Sequence, residues 1–599
     1  MTNMKMKKKD QRYPSIPLAQ TIVQFCEAKQ IQHIVISPGS RNAPLTKGFT
    51  HNTFFKTYSI VDERAAAFFA LGIAQQTQQA VALVCTSGSA LLNYYPAIAE
   101  AYYSDIPLVI LSADRLPHQI DIGDGQTIRQ KHVFEPHIED AAYLDYDVSH
   151  ATERLLNHPK QEALDPNSSA ETINTKQLEI QLKNEKAINR VLNNLILKKG
   201  PVHLNIPFEE PLYETTSHKL SLSQSSLPEE LIKEIELTSF FKKWNKCSKK
   251  MILVGVLPPD SLEAKIIEFI AADPSVTVLT ETTSNLSHYT FLESIDTLIA
   301  PIENNEEQLE KIRPEILLTF GGMIVSKKIK AFLRDFSPVH HYHVDEKKAY
   351  DTFYCLTDHF KLKPSDFFSK LIDQTKEYSQ SNYCVSLLTQ YNKHKIIGLN
   401  YLQNIPFSDL KAFELIFKHL PKDIYLHLAN SSTIRYGQLF KMPSLKGIYC
   451  NRGTSGIDGS TATAMGFASN TEVPTVLITG DLSFFYDING LWNNYLRPST
   501  RIILINNQGG GIFRILPGEK DTPAYDTYYE TVQTRDAKSL CKSLGLGYHS
   551  ASSKFSLSWK LKYFFSPSNK PQLLEIKTPR KLNDSVLLDY FKSIKDQLR

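Results

Sequence analysis

Short runs of β-branched and aliphatic residues recur along this chain, separated by stretches long enough for a helix. In the first third they are "HIVIS" from His33, "AVALVC" from Ala80 and "IPLVILSAD" from Ile106, with the helix-like "DERAAAFFALGIAQQ" from Asp62 between the first two. Strands that are apolar throughout, alternating with helices, predict a parallel sheet covered on both faces. The tract closes at "GPVHLNIPFEEPLY", Gly200 to Tyr213, after a polar, turn-rich stretch from His158 to Gln177 that predicts a surface loop leading into a helix ending near Leu197. A Ser-rich linker, "TTSHKLSLSQSS" from Thr215, opens onto a second tract with "KMILVGVLPP", "VTVLTETTS" and "EILLTFGGMIV". A third carries "DIYLHLANSSTIRYG", "PTVLITGDLSF", "RIILINNQGGG" and "PQLLEIKT" as its strands, with a long helix-like run following Asp481. The reading is an α/β protein of three doubly wound parallel-sheet domains, at 10–213, 225–385 and 405–599. Tracts one and three are candidates for related folds. At 599 residues the chain far exceeds the size at which one core keeps growing.

Composition narrows the function classes. Hydrophobic residues make up 42% and charged residues 22%, with a formal net charge of +4; nothing here argues for nucleic acid. The basic run "MKMKKKD" at the start has no apolar stretch after it and reads as a solvated tail rather than a secretion signal. The best candidate for a membrane span, Ala90 to Ala113, is interrupted by Glu100 and Asp105. Seven scattered cysteines form no CxxC pair, which disfavours zinc sites and a disulfide framework and fits a reducing cytoplasm.

Candidate chemistry lies at strand ends. Asp481 follows "TVLIT" and Gly480; Asn507 follows "RIILIN", with Gly509 and Gly510 just after it. In open parallel sheets ligands sit beyond the carboxyl ends of the strands. An Asp carboxylate, an Asn amide oxygen and a glycine carbonyl form a hard oxygen set suited to Mg²⁺, which completes its shell with phosphate oxygens and water. Glycine lets backbone approach phosphate closely. Taken singly, Asp481 reads equally as a helix cap and Asn506-Asn507 as a turn.

GD, then NN some 26 residues on, resembles the cofactor motif of the thiamine-diphosphate enzyme family, with Leu482 where the family often has glycine. Glu63, in "VDERAAAFFALGIA", resembles that family's cofactor-activating glutamate; alone it reads as an acidic helix start. "SPGSRNAPLT", "TSGSALLNYYPAIAEAYYSDIPLVILSADR", "GDGQTIRQ", "NRGTSGIDG" and "GDLSFFYDINGL" together closely resemble the 2-succinyl-5-enolpyruvyl-6-hydroxy-3-cyclohexene-1-carboxylate synthase family of menaquinone biosynthesis. The resemblance covers both outer domains in order. It implies a transferase that decarboxylates 2-oxoglutarate on thiamine diphosphate and adds the succinyl carbanion equivalent to isochorismate. It also implies Mg²⁺ or Mn²⁺ held by Asp481, Asn507 and the Gly509 carbonyl. Glu63, Gln126, Gly480, Ser483, Ile512 and Phe513 would meet the cofactor. The homodimer or homotetramer it implies would pair Glu63 of one subunit with Asp481 of another.

Both substrates are polycarboxylates, and a guanidinium pairs carboxylate bidentately. Arginine is sparse in this lysine-rich chain, yet Arg41, Arg115, Arg435 and Arg452 all fall inside these motifs. The resemblance assigns substrate contacts to them, to Ser40 and Ser431, to Gln126, and to Phe513 and Leu516. Each arginine could instead be a loop residue paired with a neighbouring acid, as Asp114 could serve Arg115; Arg129 reads as structural. Two other readings remain open. One is a different thiamine-diphosphate 2-oxoacid carboligase, such as an acetohydroxyacid synthase relative; the other is a non-catalytic binding relative.

Overall fold

The computed structural model describes residues 12–158, 160–161, 163–222, 235–516, 518 and 520–597. The basic N-terminal run and the later part of the Ser-rich linker lie outside the described residues. The first part of that linker is strand: β1 (Tyr13–Pro14) pairs antiparallel with Thr215–Thr216.

The N-terminal strands are β2 (His33–Ile36), β3 (Lys56–Ser59), β4 (Val81–Cys85), β5 (Leu108–Asp114), β6 (Asp140–Tyr143) and β7 (Val202–Pro207), with β8 the Thr215–Thr216 pair. The middle tract supplies β9 (Lys250–Val254), β10 (Val276–Leu279), β11 (Ile316–Phe320), β12 (His340–Val344) and β13 (Leu356–Phe360). The last supplies β14 (Tyr425–Leu428), β15 (Gly447–Tyr449), β16 (Thr475–Gly480), β17 (Arg501–Asn506), β18 (Gly547–Ala551) and β19 (Gln572–Lys577). Three parallel sheets result, ordered β3-β2-β4-β5-β7-β6, β10-β9-β11-β12-β13 and β15-β14-β16-β17-β19-β18. Numbered within their own tracts, the first and third sheets both run 2-1-3-4-6-5, so the outer tracts share one topology. Central strands such as β4, β5, β7 and β17 are buried at every residue, as a sheet covered by helices on both faces requires.

The chain divides into two compact units. The first takes in residues up to 231 together with 461–472 and 487–497; the second takes in 232–460, 473–486 and 498–599. Within the first, helix Glu63–Thr77 meets residues of helix Ser460–Ala468 at backbone contact. A Cβ on Gly72 would lie 2.0 Å from the Thr463 carbonyl oxygen, and one on Gly466 would lie 2.0 Å from that of Phe69. Only glycine at both positions permits this approach.

The long helix expected after Asp481 does not form. Helix covers Asp481–Tyr486 and a single 3₁₀ turn covers Ile488–Leu491. The chain breaks at Asp487, whose Oδ2 accepts the Ala462 N–H at 2.8 Å, serving the start of helix Ser460–Ala468 instead of continuing its own. Gly490 follows against that same backbone, 2.6 Å from its own Cβ position to Ala462 N. Upstream, the helix expected to end near Leu197 spans Ala170–Lys198, capped by Ser169, whose side chain accepts the Thr172 N–H. Among the described residues no helix is long and apolar enough to cross a membrane.

Candidate active site

The candidate residues gather at the carboxyl ends of the two outer sheets. In the first, Ser40 and Arg41 follow β2, Glu63 follows β3 and Arg115 follows β5. In the other, Ser431 and Arg435 follow β14, Arg452 follows β15, Asp481 follows β16 and Asn507 follows β17.

Glu63 opens its helix one residue after Asp62, whose side chain accepts the Ala65 N–H at 3.0 Å and also the Asn489 amide at 2.6 Å. The capping task therefore belongs to Asp62, which leaves the Glu63 carboxyl for other use. Burial raises that carboxyl above the usual range, and neighbouring Asp62 adds to the rise; the Glu63 N–H and the Asn93 side chain oppose it. Arg41 is buried, donating to the Phe208 carbonyl at 3.0 Å and to Glu210 at 3.2 Å. Burial lowers its guanidinium, and the positive charge of Arg115 lowers it further. The alternative partner for Arg115 is not used by its guanidinium: Asp114 accepts the Arg115 backbone N–H, whereas the side chain donates to the Gly125 carbonyl at 3.1 Å. Arg115 thus holds the loop that carries Gln126. Gln126 has a φ of +58° and packs its backbone 3.2 Å from the Cβ position of Gly88, itself at +90°. Arg129 forms an exposed ion pair with Asp121, in keeping with a structural role.

In the second unit, Asp481 is 2% exposed. Its Oδ2 accepts Gln533 Nε2 at 2.8 Å, its Oδ1 accepts the Leu482 N–H, and the Gly509 N–H also bonds the carboxylate. Burial holds its carboxyl up at about 6 against these donors. Asn507 donates its amide N–H to Asp409 Oδ2 at 2.8 Å, which settles the orientation of the side chain; its Oδ1 has no hydrogen-bond donor among the described residues. Asp409 is fully buried at the start of helix Asp409–His419. It accepts Thr578 Oγ1 at 2.5 Å and is likewise held up at about 6 by burial. The turn between is shaped by Gly509, at φ +146°, where a Cβ would lie 2.5 Å from the Glu530 carbonyl; that carbonyl accepts the Gly510 N–H. Carboxylate, free amide oxygen and glycine carbonyl make a hard donor set that fits Mg²⁺ or Mn²⁺. The Cβ position of Gly480 meets nothing within 4 Å, leaving open space beside Asp481. Ser483 is buried and donates to the Ile457 carbonyl at 2.6 Å.

Ile512 and Phe513 lie in the 3₁₀ turn Gly511–Ile515, with Leu516 next and 46% exposed. That turn is clamped by Glu530, 0% exposed, whose carboxylate takes Arg514 at 2.5 and 2.7 Å and Arg580 at 2.5 Å. Ser431 sits at φ +68°, ψ −128°, a strained conformation for serine. Arg435 donates to the Ser431 carbonyl at 3.2 Å; burial and the charge of Arg452 lower its guanidinium, while Asp296 opposes this. Arg452 donates Nη1 to Asn430 at 2.7 Å and keeps Nε buried without a partner. Behind it lies Glu281, fully buried, accepting the N–H groups of Val325 and Ser326, both at 2.7 Å. Burial pushes its carboxyl up to about 7, and Arg452 partly offsets this.

Asp409, Gln533, Glu530 and Glu281 were not read from the sequence. Asp409 lies 98 residues from the Asn507 it orients, and Gln533 lies 52 from Asp481. No local spacing announces such pairs.

Residues 16–143 match the family model described as thiamine pyrophosphate enzyme, N-terminal TPP binding domain. Over nearly its whole length the chain resembles curated proteins of one name, 2-succinyl-5-enolpyruvyl-6-hydroxy-3-cyclohexene-1-carboxylate synthase. The protein of Christiangramia forsetii is 52% identical, covering 98% of this chain and 100% of its own. That of Flavobacterium johnsoniae is 48% identical over 97% and 100%, and that of Porphyromonas gingivalis 37% identical over 95% and 96%. With its thiamine-diphosphate-binding domain and this end-to-end likeness, the chain belongs to the 2-succinyl-5-enolpyruvyl-6-hydroxy-3-cyclohexene-1-carboxylate synthase family.

Proposed function

We propose that this protein decarboxylates 2-oxoglutarate and adds the resulting succinyl unit to isochorismate, the synthase step of menaquinone biosynthesis. The observation that carries the reading is the grouping of Asp481, Asn507 and Gly509 at the ends of β16 and β17, one carboxylate and two neutral oxygens around a glycine turn. Thiamine diphosphate, when bound, supplies the electron sink that decarboxylation of a 2-oxoacid requires.

The chain's own residues then take defined tasks. Asp481, the Asn507 amide oxygen and the Gly509 carbonyl would hold a divalent cation, Mg²⁺ or Mn²⁺, which would neutralise the cofactor's diphosphate. Gly480 and Ser483 line the approach. Glu63, its carboxyl raised by burial, would hydrogen-bond the pyrimidine ring nitrogen of the bound cofactor. Ile512 and Phe513 prop the cofactor and exclude water, and Leu516 extends that apolar wall. Ser40, Arg41, Arg115 and Gln126 serve substrate on the first unit; Ser431, Arg435 and Arg452 serve it on the second. The buried, unpartnered Nε–H groups of Arg41, Arg115 and Arg452 support this, since a guanidinium fork donates to a carboxylate in two places.

The domains at 10–213, 225–385 and 405–599 supply pyrimidine side, centre and diphosphate side. In a homodimer or homotetramer, Glu63 and Asp481 of different subunits would complete each site. The cysteines form no disulfide among the described residues, which supports a reducing, cytoplasmic setting. The test is CO₂ release from 2-oxoglutarate with isochorismate loss, in the presence of thiamine diphosphate and Mg²⁺. Turnover of pyruvate with isochorismate untouched would instead assign a different carboligase.

A further inference from the structure

Helix Lys554–Phe564 has two unlike faces. Leu557, Leu561 and Phe564 are at most 5% exposed and join the core of the C-terminal sheet. On the other face Phe555, Trp559 and Tyr563, spaced by four, are 83%, 52% and 64% exposed. At about 100° per residue these three span roughly 80° of the helix surface, a continuous aromatic stripe. Trp559 and Tyr563 touch edge to face with ring centroids 5.9 Å apart. A lone exposed aromatic needs no explanation, but three in register on one helix do.

Charge identifies what this face suits. Between Asp536 and Glu575 the chain holds six lysines and no aspartate or glutamate, in a protein whose acidic and basic residues otherwise nearly balance. Three of the six, Lys554, Lys560 and Lys562, belong to this helix and border the stripe; Lys560 Nζ lies 4.8 Å from the Trp559 ring centre. None of the three makes an ion pair among the described residues. Aromatic rings along one line, flanked by lysines whose ammonium groups reach past them, match an anionic lipid headgroup layer, where rings enter the interface and lysines meet phosphate. A second copy of the chain fits this face poorly, since two-fold pairing of the stripe would set lysine against lysine.

We propose that helix Lys554–Phe564 is a membrane-surface contact that takes an anionic lipid bilayer, seating the protein on it peripherally through Phe555, Trp559 and Tyr563. This helix contains none of the residues assigned to the cofactor and substrates, and the proposal does not depend on their assignment.

The full-length protein is mixed with vesicles of phosphatidylglycerol and phosphatidylcholine, or of phosphatidylcholine alone, and sedimented. Binding to the anionic vesicles alone, weakened by salt, is expected, with a blue shift of tryptophan emission that Trp559→Phe removes. Each charge removed should weaken the partition about fivefold. Lys554→Glu with Lys560→Glu and Lys562→Glu should abolish it, as should Phe555→Ser with Trp559→Ser, both leaving turnover and melting temperature unchanged. Three results would overturn the proposal. One is no sedimentation with either vesicle, another is equal binding to both and by the variants, and the third is a change of assembly state on Trp559→Ser, which would make the face a contact between copies.

Discussion

Asp409 touches neither cofactor nor substrate in the proposed site, yet it holds the amide of Asn507 from behind. Replacing it with leucine removes the acceptor at 2.8 Å from Asn507 Nδ2 and frees that side chain to rotate its oxygen away from the cation. Loss of the partner that orients a metal ligand costs roughly 10- to 100-fold in ion affinity. That is about 1.4–2.7 kcal/mol, the range expected for one buried hydrogen bond to a charged acceptor. Leucine also leaves the buried Thr578 hydroxyl and Asn507 amide without their acceptor, at about 1–3 kcal/mol each, offset in part because burial already disfavours the Asp409 carboxylate. Asp409→Asn keeps an oxygen acceptor and should lose no more than a few-fold. Free Mn²⁺ is titrated by electron paramagnetic resonance in the presence of thiamine diphosphate, with melting of the cofactor-free protein as the control for folding. Mn²⁺ affinity of Asp409→Leu within about twofold of the parent, with Asn507→Ala impaired, would show that Asp409 does not orient Asn507.

Three other perturbations probe separate parts of the molecule. Glu281 has its carboxyl raised to about 7, so its contribution to stability is complete below the ordinary carboxylate range and is lost as pH rises through 7. Glu281→Gln should therefore gain on the parent between pH 5 and 8, by up to about 3 kcal/mol less any lost hydrogen bonding, in melting curves taken across pH; a difference independent of pH would rule this out. Arg452→Lys removes the fork behind the unpartnered Nε and should raise the KM of a carboxylate substrate about tenfold or more, with a smaller change in kcat. An unchanged KM would remove Arg452 from the substrate. Gly72→Ala places a methyl 2.0 Å from the Thr463 carbonyl and should cost about 1–3 kcal/mol by thermal unfolding, whereas Gly125→Ala, with nothing within 4 Å, should not; equal melting of both would mean that the helix contact is loose.

Much of the fold is legible in the sequence because its central strands are apolar on both faces. The strands that escape such a reading are mainly edges. β3, β6, β13, β15 and β18 each have one neighbour in their sheet, and their mixed burial leaves polar residues such as Lys56, Asp140 and Asp358 inside them. The helix expected beyond Tyr486 failed for a different reason. Asp487 serves the helix at Ala462, a demand set by tertiary structure that no periodicity within 481–497 reveals. In the proposed site, the strand-end positions of Asp481, Asn507 and Gly509 are legible because apolar strands run up to them and glycine stands beside them. Their supports, Asp409 and Gln533, are not, since each reaches its partner only through the folded sheet. The motif points to Ser431 as a candidate, but its positive φ is a property of the backbone and has no signature in residue type.

In the proposed function, Glu63 drives cofactor-dependent consumption of 2-oxoglutarate and isochorismate by this chain. The most direct measurement follows CO₂ release and isochorismate loss together, for the parent and for Glu63→Gln, with thiamine diphosphate and Mg²⁺ present. The parent is expected to form a succinylated product with one CO₂ for each isochorismate consumed. Glu63→Gln should lose about 10²- to 10⁴-fold in rate while still binding the cofactor. Isochorismate left intact by the parent, or turnover undiminished in Glu63→Gln, would contradict the proposed function.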